Sequence, residues 1–187
     1  MHRRELIRLG LAAGLGAGMS SVLGSAALAQ AEPILSPGPR RVAFHNLHTG
    51  ESLDAVYWDE GRYVPDALDS VNKVLRDYRT GDVHPMEPQL LDLLHQVQGR
   101  LGADQPFQVI SGYRSPHTNA MLHERSGQVA AHSLHMDGMA IDVRMEGVAL
   151  DHLHKAALDL QVGGVGYYPS SDFVHMDVGR VRRWTGA

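Results

Sequence analysis

An α+β domain is predicted by three features of the sequence. Runs of alternating apolar and polar residues are interspersed with helix-period segments, without a regular strand–helix–strand alternation. The 187 residues, 43% of them hydrophobic, suffice for one core and require no second. There is no cysteine, so no disulfide framework or thiolate metal site underlies the fold, and any metal must be held by His, Asp or Glu.

Taken in chain order, Met1 to Arg8 is basic, with Arg3-Arg4 ahead of Glu5-Leu6-Ile7. Leu9 to Leu23 is apolar but rich in Gly and Ala, and Ala27-Leu28-Ala29 is a small-x-small cleavage pattern. Residues 1–29 are therefore expected to be a signal peptide. The paired arginines resemble a twin-arginine leader, which exports folded proteins, and the expected location is the periplasm. The apolar run is too short and glycine-rich for a membrane anchor, so no span is expected in the mature protein. Gln30 to Arg40 holds three prolines and no periodicity, and is read as a linker, leaving 41–187 as the folded domain.

Arg41 to Leu47 and Leu53 to Trp58 alternate around Thr49-Gly50-Glu51 and predict a hairpin. Pro65 to Tyr78 sets Leu68, Val71, Val74, Leu75 and Tyr78 on one helical face. Glu87 to Leu101 repeats that pattern through Leu90, Leu91, Leu94 and Val97, with Gly102 as its stop. Phe107 to Ile110 is a short strand, Pro116 to Arg125 a helix, Gly138 to Met145 a buried strand and Leu150 to Leu160 an amphipathic helix. Gly163-Gly164-Val165-Gly166 opens a segment into Tyr167-Tyr168-Pro169, and Asp172 to Val178 and Val181 to Trp184 close the chain as two strands.

The net charge of −4 becomes about −6 without the first 29 residues, which argues against nucleic acid as a partner. The 12 histidines are the anomaly, because several cluster between His117 and His175 beside acidic residues. Imidazole is the commonest metal ligand. His135 lies in a loop, Asp142 on the following strand and His175 on a later one. Spacing alone leaves open whether they meet. His132 forms a His-x-x-His pair with His135 and is a rival ligand. His117, His123, His152 and His154 read as surface or helix-face residues.

The string Ser133 to Asp142 resembles the Ser-x-His-x-x-Gly-x-Ala-x-Asp signature of the zinc D,D-peptidase superfamily, which includes VanX-type dipeptidases and the Hedgehog-like fold. Ser111 to Pro116, Thr118-Asn119, Gly163 to Pro169, Phe173 to Asp177 and Val178 to Trp184 are similar to its murein endopeptidase K branch. The resemblance runs from about Arg41 to Trp184. It implies a small, mainly antiparallel sheet carrying a zinc site, with helices packed on the other side. His135, Asp142 and His175 would be the Zn2+ ligands, leaving a fourth position for water.

The implied activity is hydrolysis of peptidoglycan cross-links, by a protein expected to be a monomer. Asp172 stands three residues before His175, where VanX-type relatives carry a catalytic Glu, and is the implied base. Residues three apart in a strand face opposite sides, so a turn must precede His175, and Ser170-Ser171 permits one. Arg114 matches the arginine placed near the substrate carbonyl. Asp177, two residues after His175, shares its side and can orient that histidine. Arg114 and the Arg180 to Arg183 cluster are the groups available to hold an acidic substrate.

Two lookalikes fail. Ser70-Val71-Asn72-Lys73 spells the Ser-x-x-Lys nucleophile motif, but no Lys-Thr-Gly accompanies it. His123-Glu124 begins a His-Glu-x-x-His string that ends at Gly127. The alternatives kept are a carboxypeptidase acting on the same polymer and a non-catalytic wall-binding domain of the same fold.

Overall fold

The computed structural model describes residues 38–126 and 129–186. The expected leader and most of the expected linker lie outside the described residues.

The chain orders its elements as β1 (Arg40–Asn46), β2 (Ser52–Asp59), β3 (Arg62–Tyr63), α1 (Pro65–Val74), α2 (Pro88–Leu101), β4 (Phe107–Ser111), α3 (Pro116–Ser126), β5 (Ala140–Met145), α4 (Leu150–Leu158), β6 (Gly164–Tyr168), β7 (Phe173–Asp177) and β8 (Arg182–Thr185). One eight-stranded sheet results, in the order β3-β2-β1-β4-β5-β7-β6-β8. The pairs β1–β4 and β6–β8 are parallel and the others antiparallel, so the sheet is mainly antiparallel as expected but broader than a small one. The fold class is α+β.

The core lies on one face of this sheet. Along β5, Ile141 and Val143 are fully buried among Phe44, Phe107, Leu90, Leu94, Leu153 and Met176, while Asp142 and Arg144 take the opposite face. Helix α2 supplies Leu90, Leu91, Leu94 and Val97 as anticipated, and a left-handed Gly102 (φ 58°) ends it. Each fully buried Leu or Phe contributes about 1.5–3 kcal/mol through apolar area withdrawn from water. Among the described residues, no helix is long and apolar enough to cross a membrane.

Two boundaries depart from expectation. Arg40, placed at the end of the linker, is the first residue of β1 and nearly buried. Its Nη1 donates to Asp92 Oδ1 at 2.7 Å and its guanidinium stacks 4.4 Å from the Trp58 ring. Helix α1 stops at Val74 instead of reaching Tyr78. A continued helix would use the Leu75 carbonyl for the Arg79 amide. Tyr113 N–H takes that carbonyl instead (2.7 Å), and the Arg79 amide goes to Asp77 Oδ1 (2.9 Å). Tyr78, freed from the helix, stacks on His48 with ring centroids 3.8 Å apart.

Candidate active site

The site forms where three loops and two strands meet on the sheet face opposite the core. Antiparallel pairing sets Asp142 of β5 directly against His175 of β7. His135 arrives from a single 3-10 turn, Leu134–Asp137, in which the His135 N–H donates to Ser133 Oγ (3.4 Å) and which Gly138 ends in the left-handed region. The sequence-predicted trio therefore converges. His175 Nδ1 lies 2.8 Å from Asp142 Oδ1, His135 Nε2 lies 3.3 Å from the same oxygen, and the two nitrogens are 3.2 Å apart. All three residues are buried.

The partners on the far side of each ring assign its tautomer. His135 Nδ1 faces the Gly112 carbonyl at 2.7 Å and must donate to it, which leaves a lone pair on Nε2. His175 Nε2 faces Asp177 Oδ2 at 3.0 Å and must likewise donate, which leaves Nδ1 as the inward atom. Two imidazole lone pairs and a carboxylate oxygen thus point at one another, an arrangement suited to a cation among them. Four donors at 2.0–2.1 Å from a tetrahedral ion lie about 3.3 Å apart, close to the spacings seen. His135, Asp142 and His175 form a group able to hold a metal ion.

With protons alone, the electrostatics favour positive charge on one ring of the trio. Burial pushes His175 down, but hydrogen bonds and Coulombic attraction from Asp142 and Asp177 outweigh it and raise the ring to about 9. Burial keeps His135 below its ordinary value despite Asp142. Asp142 would be raised by burial, yet both histidines hold it well below the carboxylate range.

Arg114 is brought to the trio, with Nη2 3.6 Å from Asp142 Oδ2. The other contacts of its guanidinium are long, 3.4 Å to Asn119 Oδ1 and 3.4 Å to Ser111 Oγ, and its buried Nε has no partner among the described residues. The loop carrying it is clamped by buried Asp77, which accepts from Ser115 N–H (3.0 Å) and Ser115 Oγ (2.8 Å). Asp172 is placed differently. The turn required before His175 exists, as a 3-10 turn over Pro169–Ser171 that leaves Asp172 left-handed at φ 54°. Its exposed carboxylate pairs with Arg144 Nη1 at 2.7 Å, while its neighbours Ser171 and Phe173 line the cavity above the trio.

That cavity measures about 420 Å³. Arg114, Arg182 and His132 line it with the trio, and Tyr168, Phe173 and Trp184 form an aromatic wall. His132 is exposed and stands outside the three-ligand group. His117, His123 and His152 are exposed, and His154 stacks on Tyr167 at 4.6 Å. Of the arginine cluster, Arg180 and Arg183 are exposed, whereas Arg182 is committed to Asp177 by two bonds of 3.0 and 2.7 Å. Sequence reasoning missed the Gly112 carbonyl, the Asn119 contact and the route by which Arg182 and Trp184 reach the site. The only available signal for the last was the glycine at every second position of Gly164-Val165-Gly166.

Residues 35–184 match the family model described as peptidoglycan L,D-endopeptidase MepK. The peptidoglycan L,D-endopeptidase MepK of Escherichia coli K12 is 45% identical over 183 residues, covering 98% of this chain and 97% of that protein. The probable peptidoglycan L,D-endopeptidase MepK of Haemophilus influenzae is 39% identical over 186 residues, covering 99% and 96%. A solved structure, the L-Ala D-Glu endopeptidase ChiX of Serratia marcescens, aligns with TM-score 0.38 and 17% identity over 60% of this chain and 86% of that one.

Proposed function

The chain belongs to the MepK peptidoglycan L,D-endopeptidase family, and from that membership we propose that it is an exported, zinc-dependent peptidase that hydrolyses peptide cross-links of peptidoglycan in the periplasm. The observation that carries the metal part of this reading is the trio itself: two imidazole lone pairs and one carboxylate oxygen at 2.8–3.3 Å on the floor of a 420 Å³ cavity. His135 through Nε2, Asp142 through Oδ1 and His175 through Nδ1 would hold the ion. When bound there, Zn2+ supplies a Lewis acid for the scissile carbonyl and lowers the pKa of water toward 7.

The chain's own residues do the rest. Arg114, only loosely engaged, has N–H groups to spare for a substrate oxygen, either a carboxylate to be bound or a carbonyl oxygen gaining charge. Asp172 is the proposed base, and taking a proton requires its carboxylate to turn from Arg144 toward the cavity. The aromatic wall of Tyr168, Phe173 and Trp184 gives the stem peptide an apolar surface and narrows access for bulk water. The activity named for the relatives favours a bond joining an L- to a D-configured residue. Residues 1–29 act in this reading as a twin-arginine leader, 30–39 as linker and 40–187, from the first residue of β1, as the catalytic domain, working as a monomer.

The test is incubation of the purified mature protein with defined cross-linked muropeptides, with and without a chelator. Dimers should become monomers, conversion should stop on chelation, and zinc should restore it. Loss of only a terminal residue would instead identify a carboxypeptidase. No conversion by a zinc-loaded protein would identify a wall-binding domain.

A further inference from the structure

Strand β8 lies at the edge of the sheet, separated from β7 by β6, yet two of its side chains reach β7. Gly166 is paired with His175 on one side and with Trp184 on the other, and Gly164, one pleat away, is paired with Arg182. Neither glycine has a side chain to fill the space above the strand, so Trp184 and Arg182 lie across β6. Trp184 packs against His175 with ring centroids 5.2 Å apart, and its Nε1 donates to Tyr168 Oη at 2.9 Å. The Arg182 guanidinium lies 5.0 Å from the Trp184 ring and forks onto the fully buried Asp177.

Asp177 also accepts from Gly164 N–H (3.0 Å), Gly179 N–H (2.9 Å) and His175 Nε2 (3.0 Å). A carboxylate so surrounded by donors is acceptor-only, so the ring nitrogen facing it must carry the proton. The room for this arrangement is tight. A Cβ on Gly164 would lie 2.4 Å from both Asp177 Oδ2 and Arg182 Nη1, and one on Gly166 would lie 2.6 Å from the Trp184 ring.

We propose that β8 completes the metal site from across the glycines of β6, with Arg182 as a positioning residue that acts through Asp177 to hold His175 as its Nε2–H tautomer and present Nδ1 to the ion. The inference rests on the metal-site reading above. The Arg182 guanidinium bonds to Asp177 and the Arg180 carbonyl rather than to the trio. Its effect reaches the site through the carboxylate it pins and the indole it stacks on.

Metal binding, independent of turnover, tests this. Wild type, Arg182→Gln, Arg182→Lys and Arg183→Gln are stripped of metal, titrated with Zn2+ against a chromophoric chelator, and loaded with Co2+ to record its visible absorption. Arg183→Gln removes the same charge from the exposed side of the same strand. Arg182→Gln should weaken zinc binding severalfold, up to the about 10–100-fold that follows loss of a ligand histidine's direct partner, and alter the cobalt bands. Arg182→Lys should recover part of the loss, because it keeps the charge without the fork. Arg183→Gln should bind as wild type.

Wild-type affinity and an unchanged cobalt spectrum in folded Arg182→Gln would overturn the inference. If that variant does not fold, Gly164→Ala decides by pushing the Asp177–Arg182 pair apart: weakened binding supports the inference and wild-type affinity overturns it. A wild-type protein that binds neither ion removes the metal-site reading, and this inference with it, an outcome distinct from variants that all bind alike.

Discussion

Two side chains in contrasting surroundings are candidates for the proposed base. Asp172 sits on the turn that leads into β7 and is paired with Arg144, whereas His132 lines the cavity and stands outside the ligand group. With Asp172 as base, Asp172→Ala should lower kcat on muropeptide dimers about 10²–10⁴-fold at unchanged zinc content, and His132→Ala should cost only a few-fold. The reverse pattern of rates would move the role to His132.

Asp77 shows at the same scale how a charge far from the trio supports it. Burial opposes its ionisation, but hydrogen bonds from the Ser115 and Arg79 amides and the Ser115 hydroxyl prevail and hold its carboxyl below the usual range. A group depressed in the folded state stabilises above its unfolded value, near 3.9, and loses that contribution as pH falls through the folded value. Asp77→Asn should therefore cost about 1–3 kcal/mol at pH 7, and the gap to wild type should shrink in thermal melts taken below pH 4.

Among the elements, the stretch from Ser111 to Pro116 governs most of the site. It places Arg114 beside Asp142 and aims the Gly112 carbonyl at His135, and it can do both because Gly112 packs flat against Leu75. A Cβ there would come 2.5 Å from the Leu75 carbonyl oxygen and 2.9 Å from its Cβ, which only a displacement of the loop relieves. Gly112→Ala should destabilise by about 1–3 kcal/mol and lower both zinc affinity and kcat/KM, measured by melting, chelator competition and muropeptide kinetics. A variant that loses stability but keeps full metal affinity would show that the His135 tautomer does not depend on this carbonyl.

Over the described domain, the sheet divides into a structural half and a chemical half. On the β1–β3 side, Asp92 of α2 gathers Arg40 (2.7 Å), Tyr57 (3.0 Å) and Tyr63 (2.7 Å) and so ties three strands to the helix layer. On the β5–β8 side Asp142, His175, Asp177 and Arg182 belong to the candidate site. Arg40→Ala leaves a nearly buried carboxylate short of its countercharge and should cost about 3 kcal/mol in urea unfolding. Zinc affinity of the folded fraction should be unchanged, since no residue of that cluster touches the trio. A fall in metal affinity with stability would mean the two halves are coupled.

What the sequence determined by itself was the list of parts. Alternation and helical periodicity depend on neighbours along the chain, so the hairpin, α2, the β5 strand and the closing strands were legible, and family motifs singled out His135, Asp142 and His175. Tertiary structure decided what depends on partners distant in sequence. Helix α1 ends early because Tyr113, 38 residues beyond Leu75, takes the carbonyl that the next turn needed. The histidines present opposite nitrogens because a carbonyl backs one ring and a carboxylate the other. Asp172 meets Arg144 rather than the trio, a matter of side-chain direction that residue spacing does not encode. Arg182 and Trp184 reach β7 only because the parallel register of β6 and β8 lines them up with two glycines, and a register exists only once both strands are in the sheet.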